Sequence, residues 1–306
     1  MPSLKRELAL SLYRWATGRT RSHLIRSFET LGTFPACVLF YHRVASHPWN
    51  DWSIPNANFE QHMDWIIQNA KPASLDTIRE SQLLGSRKER LVGVTFDDAY
   101  GENCEFAIPT ILERKIPATY FVTTHYVESG SPFPHDLARG TPLRPNTIAE
   151  IRTMAEQGIQ IGAHSHTHPD FGKPMSESQL RTEIVDVRKK LQDWTGQPIE
   201  YFAFPYGCKQ NISQEAIDTV FEAGYKCFVS AAGGVNWAGK DADHLQRMHG
   251  DPGMAAFTNW LTFDPRKIYK ASPIQYTRKS SDARYASDSQ PATELPVPTE
   301  LAKALV

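Results

Sequence analysis

Val94-Thr95-Phe96-Asp97-Asp98-Ala99-Tyr100-Gly101 puts two adjacent acids directly after an apolar run, residues 91–96, that reads as a buried strand. Gly162-Ala163-His164-Ser165-His166-Thr167-His168-Pro169 repeats the arrangement with imidazoles, an H-x-x-x-H directly after the run 159–163. One carboxylate and two imidazoles can bind a divalent ion on one face and leave positions open for water and substrate. The second carboxylate then stays free to take a proton from that water. The two stretches together point to metal-assisted hydrolysis.

Working outward, segments 36–44, 118–123, 201–204 and 226–230 also read as strands, short and rich in apolar, β-branched and aromatic residues. Helical spacing falls between them, over 58–69, 106–115, 146–157, 176–194 and 214–223. Strands alternating with helices, most of the strands uniformly apolar, predict a parallel sheet covered by helices. In a chain of 306 residues that pattern favours an α/β fold closed as a barrel of β/α units, with its reactive residues at the carboxyl ends of strands. Asp97/Asp98, His164/His168 and Pro205/Tyr206 each follow a predicted strand, and His42 lies near the end of another. Four strand ends meeting at one mouth would make one site.

Three regions result: a basic amphipathic helical segment at 1–33, the barrel at 34–271 and a Pro/Ser/Ala-rich tail at 272–306 that reads as disordered. Residues 125–145 read as a long loop that either covers the site or is disordered. The composition, 41% hydrophobic and 22% charged, is that of a globular protein, and a formal charge of −1 gives no global basic field for nucleic acid. The four cysteines, Cys37, Cys104, Cys208 and Cys227, include no C-x-x-C pair, so reduced thiols are expected. No run approaches the ~20 apolar residues of a membrane span. The N-terminal stretch does not read as a secretory signal, so a cytoplasmic location is expected. Leu4, Leu8, Leu10, Leu12, Tyr13 and Trp15 lie on one side of a basic helix, which suits either packing on the domain or peripheral contact with the inner face of a membrane.

The acid pair, the spaced histidines and Phe204-Pro205-Tyr206-Gly207, in that order and at strand ends, resemble the polysaccharide deacetylase family (NodB homology domain, carbohydrate esterases). The similarity runs from about residue 91 to 228 and extends weakly over 36–260. The resemblance implies a distorted (β/α) barrel that removes N-acetyl, less often O-acetyl, groups from an acetylated sugar, oligosaccharide or polysaccharide. It implies Asp97 as general base and Asp98, His164 and His168 as ligands of a divalent metal, most often Zn2+, with Co2+ or Ni2+ as alternatives. The backbone N–H of Tyr206 would donate to the developing oxyanion. Three departures stand out. Ala99 replaces the family's usual Gly. Ala203 stands where an Arg ordinarily holds the base, a role left to Arg247 or Arg43. The usual Leu-x-His acid has no clear match, although His249 lies nearby. Tyr41-His42-Arg43 instead resembles the bacterial exopolysaccharide deacetylase branch and makes His42 a site residue and the candidate acid.

His166 should point away from the metal, Asp170 has no assigned role, and His47, His125 and His135 read as loop residues. Trp49, Trp52 and Trp237 suit either sugar stacking or core packing. The leading function is a metal-dependent deacetylase in exopolysaccharide or cell-envelope synthesis. The alternatives are a C–N hydrolase acting on a non-sugar amide, a deformylase acting on a lipid-linked sugar, and a barrel that binds glycan without hydrolysing it.

Overall fold

The computed structural model describes residues 4–47, 50–268, 272 and 274–278. Strand Cys37–Tyr41 (β1) is buried along its whole length, and Arg43–Val44 (β2) after it pairs with Ser53–Ile54 (β3). Lys71–Pro72 (β4) lies beside the start of Leu91–Phe96 (β5). Ala118–Val122 (β6), Gln160–Ala163 (β7), Tyr201–Ala203 (β8) and Cys227–Ser230 (β9) follow. His244–Gln246 (β10) and Met248–His249 (β11) complete the set.

The sheet runs β10-β9-β8-β7-β6-β5-β1-β11, with every pairing parallel. Its two end strands are consecutive pieces of one extended stretch. Gln246 pairs with Ser230 on one flank, and two residues later Met248 pairs with Leu39 on the other. The ring is therefore joined at Arg247, and the expected distorted (β/α) barrel is present. The stretch 244–249 escapes sequence reading because it is short and mostly polar.

Alternation along the strands sorts residues between two cores. Val92, Val94 and Phe96 of β5 pack with Phe59, Met63 and Ile66 of the Asn56–Asn69 helix. Val38, Phe121, Tyr201, Ala203, Val229 and Leu245 form the inner cluster. Period two thus sends Thr95 and Asp97 inward with that second set. The helix Leu75–Leu83 adds Leu75 and Ile78 to the same cluster. Its Asp76 accepts from the Tyr201 hydroxyl and from Gln160 Nε2, each at 2.8 Å, which fastens this helix across the amino end of the barrel. The opposite, carboxyl end is left for chemistry.

The N-terminal segment forms helices Leu4–Ala16 and Gly18–Leu31 packed beside the Met254–Leu261 helix. Among the described residues no helix is long and apolar enough to cross a membrane.

Two sequence expectations need correction. Residues 125–145 are not a disordered loop: they contain helical turns within Thr124–Ser129 and Pro134–Ala138, and Tyr126, Phe133 and Leu143 form a buried cluster with Tyr100. The tail does not begin at 272. Tyr276 donates to both oxygens of Asp241 at 2.8 Å, Thr277 exchanges hydrogen bonds with Gln214, and Arg278 pairs with Asp243. Residues 279–306 lie outside the described residues, as does Trp49.

Candidate active site

At the end of β5 the backbone leaves the strand sharply. Asp98 and Ala99 both take left-handed φ values, 74° and 69°, which cost a Cβ-bearing residue roughly 1 kcal/mol or more each. The turn separates the two acids: Asp97 stays in the inward row, and Asp98 swings toward the loop after β7. The φ at Ala99 is the one a Gly adopts without strain, which accounts for the residue the family ordinarily places there.

The loop after β7 is shaped the same way, with Ser165 at 66° and His168 at 64°. His164 is buried, and its Nδ1–H donates to the Ala203 carbonyl at 2.8 Å, so its Nε2 lone pair is free. Asp98 Oδ1 lies 3.4 Å from His164 Nε2 and 3.4 Å from His168 Nε2. That buried oxygen has no hydrogen-bond partner, and one ligand atom from each residue falls within 4.8 Å of the others. An unpartnered carboxylate oxygen facing two imidazole nitrogens, one held with its Nε2 free, fits the donor set of a divalent cation. Among the described residues it is the one such cluster.

Asp97 lies beside this triad and is fully enclosed. Arg247 grips it in a fork, Nη1 to Oδ1 at 2.6 Å and Nη2 to Oδ2 at 2.9 Å. The same guanidinium donates to Thr95 Oγ1 at 3.0 Å and to the Ser230 carbonyl at 3.1 Å, and it sits against the Phe40 and Phe121 rings, 5.0 and 5.3 Å from their centroids. Burial pushes the Asp97 carboxyl up, but the opposing pull, led by the charge and hydrogen bonds of Arg247, holds it below the usual carboxylate range. Arg43, the other arginine considered for this contact, reaches instead to Ser53, the His47 carbonyl and Glu102.

His42 lies at the end of β1, its ring edge-on to Phe40 and 6.3 Å from the His249 ring. Burial lowers its pKa against the opposing pull of Asp98 and Asp97, and its Nδ1 is buried without a partner. Burial and the nearby His42 push His249 down to about 4. Tyr206, at φ 59°, is exposed and stands edge-on to His168 at 5.0 Å. The turn that carries it is locked by Gly207, where a Cβ would lie 2.5 Å from the Ala231 nitrogen. Phe133 walls the other side of His168 at 5.8 Å.

The bystander histidines and tryptophans have specific places. His166 turns to Thr124 Oγ1 at 2.9 Å, and the Asp170 carboxylate pins its own turn through Gly172 N–H and Asn211. His135 meets the Tyr100 hydroxyl, and the His47 carbonyl takes the bond from Arg43. The His125 N–H donates to the His166 carbonyl. Trp52 packs edge-on to His135 under Arg139, and Trp237 packs against Phe28 at the core.

Sequence reasoning missed Glu183. Its carboxylate accepts from the N–H groups of His166 and Thr167 at 2.8 Å each and from the Thr167 hydroxyl at 2.6 Å. It thereby holds the His164–His168 loop in its strained course. A π-helical stretch, Arg181–Asp186, carries it there, a distortion often found at functional sites. The signal was available: an acid on the apolar face formed by Leu180, Ile184, Val187 and Leu191. Glu183→Ala is expected to weaken divalent-metal affinity by roughly 10- to 100-fold while the circular dichroism stays that of the parent, with Glu183→Gln retaining part of it. Competition titration with a chromophoric chelator measures this, and an unchanged affinity would remove Glu183 from the site.

The sequence profile of the polysaccharide deacetylase family matches residues 85–228. A putative polysaccharide deacetylase of Bacillus subtilis, YxkH, is 24% identical over 220 residues, 71% of this chain and 72% of that protein. The poly-beta-1,6-N-acetyl-D-glucosamine N-deacetylase of Staphylococcus aureus is 24% identical over 213 residues, 67% of this chain and 68% of that one. The peptidoglycan-N-acetylmuramic acid deacetylase PdaA of Bacillus subtilis is 26% identical over 156 residues, 50% of this chain, which spans only 51% of PdaA. Among solved structures, the Streptococcus pyogenes deacetylase PplD superposes with a TM-score of 0.64 at 19% identity, over 75% of this chain and 98% of that one. IcaB from Ammonifex degensii superposes at 0.61 and 21% identity, over 75% of this chain and 98% of that one. At these identities the structural likeness is one of fold.

Proposed function

We propose, from the match of residues 85–228 to the polysaccharide deacetylase family, that the chain is a metal-dependent hydrolase removing N-acetyl, or less often O-acetyl, groups from an amino-sugar polymer or its precursor. We place it in exopolysaccharide or cell-envelope synthesis, acting in the cytoplasm. The observation that carries the reading is the Arg247–Asp97 fork set directly beside the Asp98, His164 and His168 triad.

Asp98, His164 and His168 would hold the divalent ion, with zinc the first choice and cobalt or nickel as alternatives. When bound, such an ion supplies Lewis-acid polarisation of an acetyl carbonyl and acidifies water. Asp97, kept ionised and oriented by Arg247, accepts the proton of the attacking water. The backbone N–H of Tyr206 donates to the oxyanion as it develops. His42, at the end of β1, would pass a proton to the leaving amine, the count closing as Asp97 gives up the one it took from water. In this reading Tyr206 and Phe133 border the sugar.

The departure that favoured a non-catalytic barrel was Ala203 in place of the family's arginine. The fork from Arg247 supports the hydrolytic reading instead, since a barrel that only binds glycan has no use for a buried, neutralised base. The test is acetate release from chitooligosaccharides, β-1,6-linked N-acetylglucosamine oligomers and peptidoglycan fragments by zinc- or cobalt-loaded protein. Acetate from wild type, and none from His164→Ala, is expected. Formate from an N-formyl sugar with no acetate would establish the deformylase alternative. Metal uptake with no product from the whole panel, together with retained glycan binding, would establish the binding barrel.

A further inference from the structure

The helix Leu4–Ala16 is mounted the reverse of a usual surface helix. Its polar side faces the protein: Arg6 pairs with Asp251 at 2.9 Å, Glu7 accepts from the Ala255 N–H at 3.0 Å, Tyr13 donates to Asp264 at 2.8 Å, and Arg14 meets Thr258. Its apolar side faces out. Leu4, Leu8, Leu12 and Trp15 are 74, 62, 65 and 80% exposed, and no residue of this helix is buried. Spacings of four, four and three put all four on one face.

The charge around this ridge is one-sided. Residues 4–31 hold six Lys/Arg and two Glu, a net +4, in a chain whose total is −1, so the rest of the chain carries −5. Hydrogen bonds from Thr17 N to Tyr13 O and Arg21 N to Thr17 O carry the chain through a bend at Thr17, φ −92° and ψ 7°, directly into the next helix. There the next steps of four and seven residues reach Arg19 and Arg26, both exposed. Neither these two nor Lys5, also exposed, forms an ion pair among the described residues. An apolar ridge ending in a Trp and continued by arginines suits a bilayer interface: leucines enter the acyl boundary, the indole sits at headgroup level, and the cations stay with the phosphates.

We infer that the outward face of residues 4–26, Leu4, Leu8, Leu12, Trp15, Arg19 and Arg26, docks the protein on an anionic lipid surface. A protein partner or a second copy is the competing occupant, and the charge argues for lipid: a lone basic ridge fits a continuous field of phosphates. The inference does not depend on the chemistry at the barrel mouth, and its test needs no turnover.

The full chain is floated with phosphatidylcholine vesicles with and without phosphatidylglycerol. Binding to the anionic vesicles alone is expected, weakening as ionic strength rises. Leu8→Glu with Leu12→Glu should abolish it at unchanged thermal stability, since neither side chain is buried. Arg19→Ser and Arg26→Ser should each weaken it roughly fivefold. Absence of binding to the anionic vesicles would overturn the proposal. So would full binding by the Leu8→Glu, Leu12→Glu protein. So would a concentration-dependent dimer that those two changes dissolve.

Discussion

Arg247→Met is expected to lower deacetylation by roughly 10²- to 10⁴-fold and to destabilise the protein by about 3–5 kcal/mol. Methionine keeps much of the volume between Phe40 and Phe121 but removes both bonds to Asp97, leaving a fully buried carboxylate with no counter-charge. Breaking one half of a buried pair costs far more than the pair contributes, because the remaining charge must stay desolvated or take up a proton. The pH dependence follows from the same contact. Arg247 holds the folded-state pKa of Asp97 below its ordinary value, so the stability it contributes is present above the unfolded carboxylate pKa of about 4 and is lost as pH falls through the folded value. Wild type and variant should therefore differ most at neutral pH and converge in strong acid. The acid limb of the rate profile should move upward in the variant, since a freed, buried Asp97 protonates more easily. Arg247→Lys should fall between the two, because one ammonium cannot span both oxygens, Thr95 and the Ser230 carbonyl. Urea denaturation and a pH–rate profile decide it. A methionine variant as stable and active as the parent would show the fork to be incidental.

Asp97→Asn should cut turnover by roughly 10²- to 10⁴-fold and leave divalent-metal binding intact. The amide keeps the shape and can still accept from Arg247, but it cannot take a proton from water. Asp98→Asn, one residue on, should do the reverse and cost the metal first, since its Oδ1 faces both imidazole nitrogens. Adjacent carboxylates with opposite readouts form a strong contrast, because general damage to the barrel mouth would move both quantities together. Metal content by atomic emission, set beside acetate release, separates them. Loss of metal from Asp97→Asn would place that residue among the ligands instead.

What was legible in the sequence was whatever depends on local pattern. The runs that became β1, β5, β6, β7, β8 and β9 are short and apolar, and each observed strand lies within its predicted segment. The residues just after them could be placed at one mouth from topology alone. Features made by distant pairing were not legible. His244 to His249 lacks strand composition and becomes β10 and β11 only because β9 and β1 flank it, so the choice between Arg247 and Arg43 stayed open. The family profile ends at residue 228, before Arg247, and starts after His42. Glu183 looked like part of an ordinary amphipathic helix until a π-turn aimed it back at the His166–Thr167 backbone. Residues 125–145 have the composition of a mobile loop, yet a few aromatic contacts, Phe133 with Tyr100 and Tyr126, are enough to order them.

The split strand at Arg247 also sets an order in time. During synthesis the three candidate metal ligands are complete once residue 168 has emerged, whereas the arginine that neutralises Asp97 emerges 79 residues later in the segment that joins the ring. Asp98, His164 and His168 can thus stand together on an open sheet, but Asp97 acquires its counter-ion only when the last staves are seated. Under the proposed role of Asp97, hydrolytic competence would be tied to completion of the cylinder: the residue at the clasp of the barrel is the one that neutralises Asp97, and an incompletely made molecule lacks both together.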